Sequence, residues 1–167
     1  IRGVLKETGV DPKAIAAVST TCMREGILLY DKGGNEIWAC ANVDARSNDE
    51  AGQLIAMNPA LEKELYLQSG EAYALGALPR LLWVKNKMPE IYEKTATLGM
   101  FNDWLIYKLT GILAVEPSNG STTGILDLQS RNWDPSIAER CGIRSDIFPP
   151  VVESGVSAAV VTASGKA

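Results

Sequence analysis

The sequence predicts an α/β fold, and three features carry that prediction. Apolar runs of strand length occur at residues 14–19, 26–30 and 36–41. Segments with helical spacing of apolar residues, bounded by cap and stop residues, surround them. Asp31-Lys32-Gly33-Gly34-Asn35 joins two of the runs and is rich in residues that tolerate positive φ, which is a hairpin signal. Strands interleaved with helices define the class. The chain has 167 residues, 46% of them apolar and 22% charged, which supports one packed domain and is too apolar for disorder.

Each element has its own local cause. Residues 1–8 place Ile1, Val4 and Leu5 at helical spacing, and Gly9 closes that helix. Asp11-Pro12 starts a short turn. Residues 14–19 form an apolar, partly β-branched run that ends in Ser19, which suits a parallel strand buried on both faces. The hairpin over 26–30 and 36–41 would then make the sheet mixed. Residues 48–57 carry Ala51, Leu54 and Ile55 on one helical face, and Asn58-Pro59 ends that helix. A second helix follows over 60–67, closed by Ser69-Gly70. Pro79 opens a third, with Leu82, Trp83 and Val84 giving a broad apolar face, and Pro89 opens a short fourth. Residues 97–100 read as a strand, and Asn102 as the cap of a helix over 103–109 ended by Thr110-Gly111. Residues 117–123 read as a polar loop. Asp134-Pro135 starts a helix that Gly142 ends, and residues 156–162 read as a last strand.

Composition excludes several functions. The formal net charge is −4, so the chain has no global attraction for phosphate backbones and nucleic acid is not an expected partner. Without histidine there is no Ser-His-Asp or Cys-His catalysis and no His-ligated zinc within this chain. No uninterrupted apolar run reaches the roughly 18 residues of a membrane helix. The three cysteines, Cys22, Cys40 and Cys141, show no CxxC spacing and read as small buried thiols of a reducing cytoplasm. The first residues already follow a helical pattern and the last follow a strand-like run, so the chain reads as a segment of a larger protein.

Four clusters could carry chemistry. Met23-Arg24-Glu25-Gly26 lies between two apolar runs, at the edge of a sheet where α/β proteins bind ligands. A guanidinium fork beside a carboxylate suits a polyhydroxylated molecule, whose hydroxyls both accept and donate. The competing reading is a solvated loop pair. Asn42, Asp44 and Arg46 would share one face if their stretch stays extended, and the hairpin would bring them beside Arg24 and Glu25. Here the competing readings are helix initiation by Asp44 or Ser47 and a structural ion pair for Arg46. Asp103 stands at a helix start, either as a site acid or as a first-turn acid of structural use. Ser118-Asn119-Gly120-Ser121-Thr122-Thr123-Gly124 could cradle a phosphate with its amides, or simply initiate a helix; it is no Walker loop.

Taken together, Met23-Arg24-Glu25-Gly26, Asp44-Ala45-Arg46, Asp103-Trp104-Leu105 and residues 118–124 resemble, in order and spacing, the FGGY family of carbohydrate kinases over nearly the whole chain. The stretches 15–19, 23–27 and 37–46 look like the autoinducer-2 kinase branch of that family. The sequence departs from the family at Asn42, where sugar kinases usually place a Trp. It departs again at Leu75, Ala77 and Arg80 of the signature centred on Trp83, and Tyr73 matches no family contact cleanly.

The resemblance implies a ribonuclease-H-like domain of the actin and hexokinase type, lacking its first strands. Residues 1–167 would form part of an N-terminal substrate-binding domain, with a helical insertion at about 47–95. It implies transfer of a phosphoryl group from ATP, with Mg2+, to a hydroxyl of a small polyhydroxylated substrate. That substrate would be autoinducer-2 (4,5-dihydroxy-2,3-pentanedione), or else a pentulose such as xylulose or another polyol. A non-catalytic sugar-binding module of the same fold is the rival from another class. Arg24, Glu25, Asn42 and Asp44 would bind substrate, with Met23, Arg46 and Asp103 in support. No catalytic residue and no metal ligand is implied within the chain. The phosphate-binding hairpin would precede Ile1 and the general base would follow Ala167, so MgATP would need the missing ATP-binding domain. An open sheet edge beside residues 14–19 would favour self-association.

Overall fold

The computed structural model describes residues 1–156. Its central strand is β1 (Ile27–Tyr30), with all four residues buried. β2 (Glu36–Cys40) pairs antiparallel with it, Ile27 opposite Cys40 and Leu29 opposite Trp38. The turn between them forms as its residues dictate. Asp31 Oδ1 accepts the amides of Gly33 at 2.8 Å and Asn35 at 2.9 Å. Gly34 adopts φ +75°, open to glycine without strain. β3 (Thr97–Met100) pairs antiparallel on the other side of β1, giving the order β2-β1-β3.

Residues 14–19 do not form the expected strand. Among the described residues nothing pairs with them, and Ile15 and Val18 are 42% and 51% exposed. A strand exists only through its ladder, and an apolar run without a partner has nowhere to place its backbone bonds. The expected parallel member is therefore absent from this sheet, whose pairings are antiparallel. Among the described residues, parallel pairing is confined to one bridge, Val115 with Val151. The last expected strand falls, from residue 157 on, outside the described residues.

Helices cover the sheet. α1 (Arg2–Thr8) ends at Gly9 in the left-handed conformation and buries no residue. α2 (Asn48–Met57), α3 (Leu61–Ser69), α4 (Ala77–Lys87) and α5 (Pro89–Lys94) follow β2. α4 starts two residues before Pro79, which fits in the first turn because its missing N–H is an orphan there anyway. Leu54, Leu61, Leu65, Leu78, Leu81 and Val84 pack with Ile27, Leu29, Leu98 and Met100 into one core. Each such burial contributes about 1.5–3 kcal/mol.

α6 (Phe101–Thr110) begins directly after β3, one residue before the expected cap, and Gly111 ends it at φ +76°. The polar segment expected as a loop folds into α7 (Pro117–Gly120) and a 3-10 turn, Ser121–Thr123. β4 (Leu126–Asp127) and β5 (Asn132–Trp133) form a small second sheet, and α8 (Pro135–Arg140) is capped by Asp134 as its sequence predicts. Among the described residues no helix is long and apolar enough to cross a membrane.

Candidate functional site

Two short segments converge at one end of the hairpin. Residues 24–26 lead into β1 and residues 41–44 leave β2. Because Ile27 stands opposite Cys40, the chain before the one and after the other lie side by side. The structure thus brings the Arg24-Glu25 segment and the Asn42–Asp44 segment together.

What joins them is Arg80, a residue that sequence reading noted only as a departure from the family's signature. It is 2% exposed on α4. Its Nη1 donates to the carbonyl of Glu25 and, at 2.8 Å, to that of Leu75. Its Nη2 donates to the carbonyl of Asn42 at 2.8 Å. Its Nε has no partner among the described residues. The signal was present: Arg80 is the lone charge within residues 77–84, a run too apolar to offer it a wet face.

Glu25 sits at φ +68°, in the left-handed region that costs a non-glycine residue about 1 kcal/mol. Its carboxylate and the exposed Arg24 guanidinium have no hydrogen-bond or ionic partner among the described residues, so both remain open to a ligand. Met23 is exposed beside them.

Asn42 and Asp44 do not share an extended face. The Asp44 amide donates to the Ala41 carbonyl at 3.1 Å, and the chain turns at Asn42-Val43. Asp44 and Arg46 nevertheless meet. Arg46 Nε donates to Asp44 Oδ1 at 2.8 Å and Nη2 lies 2.8 Å from Oδ2, a bidentate pair. This pair holds the Asp44 carboxyl below the usual carboxylate range. The Arg46 guanidinium in turn lies over the Trp83 ring, 5.0 Å from its centroid, and Trp83 stacks on Trp38. Ser47, not Asp44, stands at the N-terminus of α2.

Asp103 is buried, and its Oδ2 accepts the Met100 amide at 2.9 Å. Burial pushes its carboxyl up to about 7. Its neighbour Asn102 has a role that the sequence did not show. The Asn102 carbonyl accepts from Thr20 Oγ1 at 3.2 Å, and its Oδ1 accepts from the Asn119 amide group and lies 3.8 Å from Cys22 Sγ. The start of α6 thereby fastens the segment that leads into Arg24.

The Ser118–Thr123 stretch does not offer free amides. The Glu116 carboxylate accepts the amides of Ser118 and Asn119. Thr122 and Thr123 turn their hydroxyls to backbone carbonyls at 2.7 Å. A phosphate would find these donors taken. Among the described residues no cluster of acidic or thiol groups could hold a metal ion. A shallow hollow of about 460 Å³ lies elsewhere, lined by Leu28, Glu36, Phe101, Trp104 and Lys108, and none of the candidate site residues borders it.

The sequence model of the N-terminal domain of the FGGY family of carbohydrate kinases matches residues 1–167. An autoinducer-2 kinase from Escherichia coli is 48% identical over 97% of this chain, and one from Yersinia enterocolitica is 49% identical over 98%. The chain spans 31% of the length of each of these relatives. Among solved structures, a xylulose kinase from Brucella ovis superposes with a TM-score of 0.86 at 23% identity, covering 97% of this chain and 34% of that one. Plasmodium falciparum glycerol kinase, solved with ADP, gives 0.80 at 22% identity, covering 90% and 31% respectively. These two likenesses show the fold, that of the actin and hexokinase type. By the family match over its whole length, the chain belongs to the FGGY family of carbohydrate kinases.

Proposed function

We propose that the chain is the substrate-binding part of a longer kinase that phosphorylates a hydroxyl of autoinducer-2. The observation that carries this reading is the 48% identity to an autoinducer-2 kinase across 97% of the chain, which includes both converging segments. The chemistry of the site supports it. Autoinducer-2 presents two ketones and two neighbouring hydroxyls. Arg24 supplies paired donors for ketone oxygens, and Glu25 accepts from two hydroxyls at once. Asn42 leaves a polar wall in place of an aromatic one. Asp44, kept ionised by Arg46, adds an acceptor. These residues bind and orient the substrate.

MgATP supplies the phosphoryl group when bound. The described residues do not fit it, since they hold no metal cluster and the donors of Ser118 and Asn119 are engaged by Glu116. We therefore assign ATP and Mg2+, with the general base, to the rest of the protein. Residues from about 47 to 95 form the helical insertion of this domain. The reaction belongs in the cytoplasm, in keeping with three unpaired thiols, Cys22, Cys40 and Cys141. The isolated chain self-associates through the exposed residues around Ile15 and Val18. A monodisperse monomer in sedimentation would contradict that.

The test is a coupled ADP-release assay of the full-length protein with autoinducer-2, D-xylulose and glycerol. A kcat/KM for autoinducer-2 at least tenfold above the others supports the proposal. A preference for xylulose would replace it with a pentulose kinase. Binding without transfer to any of the three would replace it with a sugar-binding module.

A further inference from the structure

Arg80 holds two loops at once, and both are loops of the candidate site. Its guanidinium is planar and rigid, so the carbonyls of Glu25 and Asn42, bound by adjacent nitrogens, cannot move apart independently. A third bond, to Leu75 at 2.8 Å, anchors the group to the turn just before its own helix. The residue is buried, and no carboxylate bonds to it among the described residues, so its charge meets main-chain oxygens alone. A buried cation satisfied in this way is costly unless its geometry serves something. A second observation says what it serves. Glu25 is held at φ +68°, and the carbonyl of that strained residue is one that Arg80 grips. Strain of this kind persists where surrounding contacts over-determine it, and it gathers at binding sites. The charge also reaches the site itself, since Arg80 adds to the lowering of the Asp44 carboxyl.

We infer that Arg80 is a positioning residue that sets the span between the Arg24-Glu25 loop and the Asn42 turn, and with it the fit of the substrate. This rests on the proposed function for its kinetic arm only. The experiment compares wild type, Arg80→Lys, Arg80→Met and a control, Leu65→Ala, in the full-length protein. Leu65 is fully buried on α3 and makes no bond to either loop. Two readouts are taken: steady-state kinetics with autoinducer-2, and amide hydrogen exchange.

The expected result for Arg80→Met is a KM raised about tenfold or more with kcat changed far less, the effect of losing charge-assisted bonds. Arg80→Lys, which keeps the charge and reaches one carbonyl at a time, recovers part of that loss. Exchange quickens at residues 22–26 and 40–44 together in both Arg80 variants. The control lowers the melting temperature without changing KM or the two loops selectively. Wild-type KM and exchange in both Arg80 variants would overturn the inference. So would faster exchange spread evenly over the chain, or a control that raises KM equally. If the wild-type protein phosphorylates none of the substrates, the proposed function fails, and paired loosening of the two loops still decides the role of Arg80.

Discussion

Asp103→Asn isolates what one buried carboxyl does to stability. Asn keeps an oxygen to accept the Met100 amide and removes the group whose ionisation its surroundings oppose. Burial raises the Asp103 carboxyl from an ordinary 3.8 to about 7. The folded protein therefore keeps a proton that the unfolded chain has already released between those values. Stability from this group is complete below the unfolded value and is lost as pH rises through the folded one. The slope is about 1.4 kcal/mol per pH unit between the two values and flattens above the folded one, so passing from pH 5 to pH 8 removes roughly 3 kcal/mol. Asp103 is 4% exposed, so solvent screening takes little from that figure. The Asn variant lacks this dependence. Its margin over wild type should widen by roughly 3 kcal/mol between pH 5 and pH 8. Guanidinium unfolding followed by tryptophan fluorescence at both pH values measures the margin. A margin that stays constant, or that narrows toward pH 8, would refute the reasoning.

Four further outcomes follow from the geometry. Arg46→Met frees the Asp44 carboxyl to return toward its ordinary range, so KM should begin to climb at a higher pH on the acid side than in wild type. Arg46 is about half exposed, and the accompanying stability loss should stay below about 1 kcal/mol by denaturant titration. Glu25→Gly removes left-handed strain of about 1 kcal/mol but adds a similar unfolded-state entropy, so the melting temperature should hardly move while kcat/KM falls at least tenfold. A large drop in melting temperature would show instead that the carboxylate holds the fold. Gly76→Ala would set a Cβ 2.6 Å from the Thr123 carbonyl oxygen and should destabilise by roughly 1–3 kcal/mol. Gly52→Ala, on α2 with nothing within 4 Å, should instead stabilise by roughly 0.5–1 kcal/mol in the same melts.

What the sequence revealed is what local chemistry decides. The hairpin was legible because Asp31, Gly34 and Asn35 make its turn from their own side chains and dihedral freedom. The helices other than α7 were legible from spacing, caps and prolines. Residues 14–19 were not, because pairing depends on another strand far away in sequence, and apolarity alone cannot supply one. The meeting of Arg24-Glu25 with the Asn42–Asp44 segment followed from the hairpin register. The turn at Asn42-Val43 did not, since nothing in those residues forbids an extended chain. The structural use of Asp103 depends on burial, which one sequence does not report. Arg80 went unassigned for a related reason: its partners are carbonyls, and carbonyls leave no mark on residue identity.

That same choice of partners separates shape from chemistry at this site. Arg80 grips the main chain, and the main chain is the same whatever side chain it bears. Asn42, and Glu25 within the residues that a φ of +68° admits, can be exchanged without loosening the frame that presents them. A new wall at Asn42 would be delivered to the old place, facing the old neighbour. On the proposed reading of the site, the fold can therefore be retuned toward a different small molecule by editing the decoration, while the bracket that spaces the two loops is inherited intact.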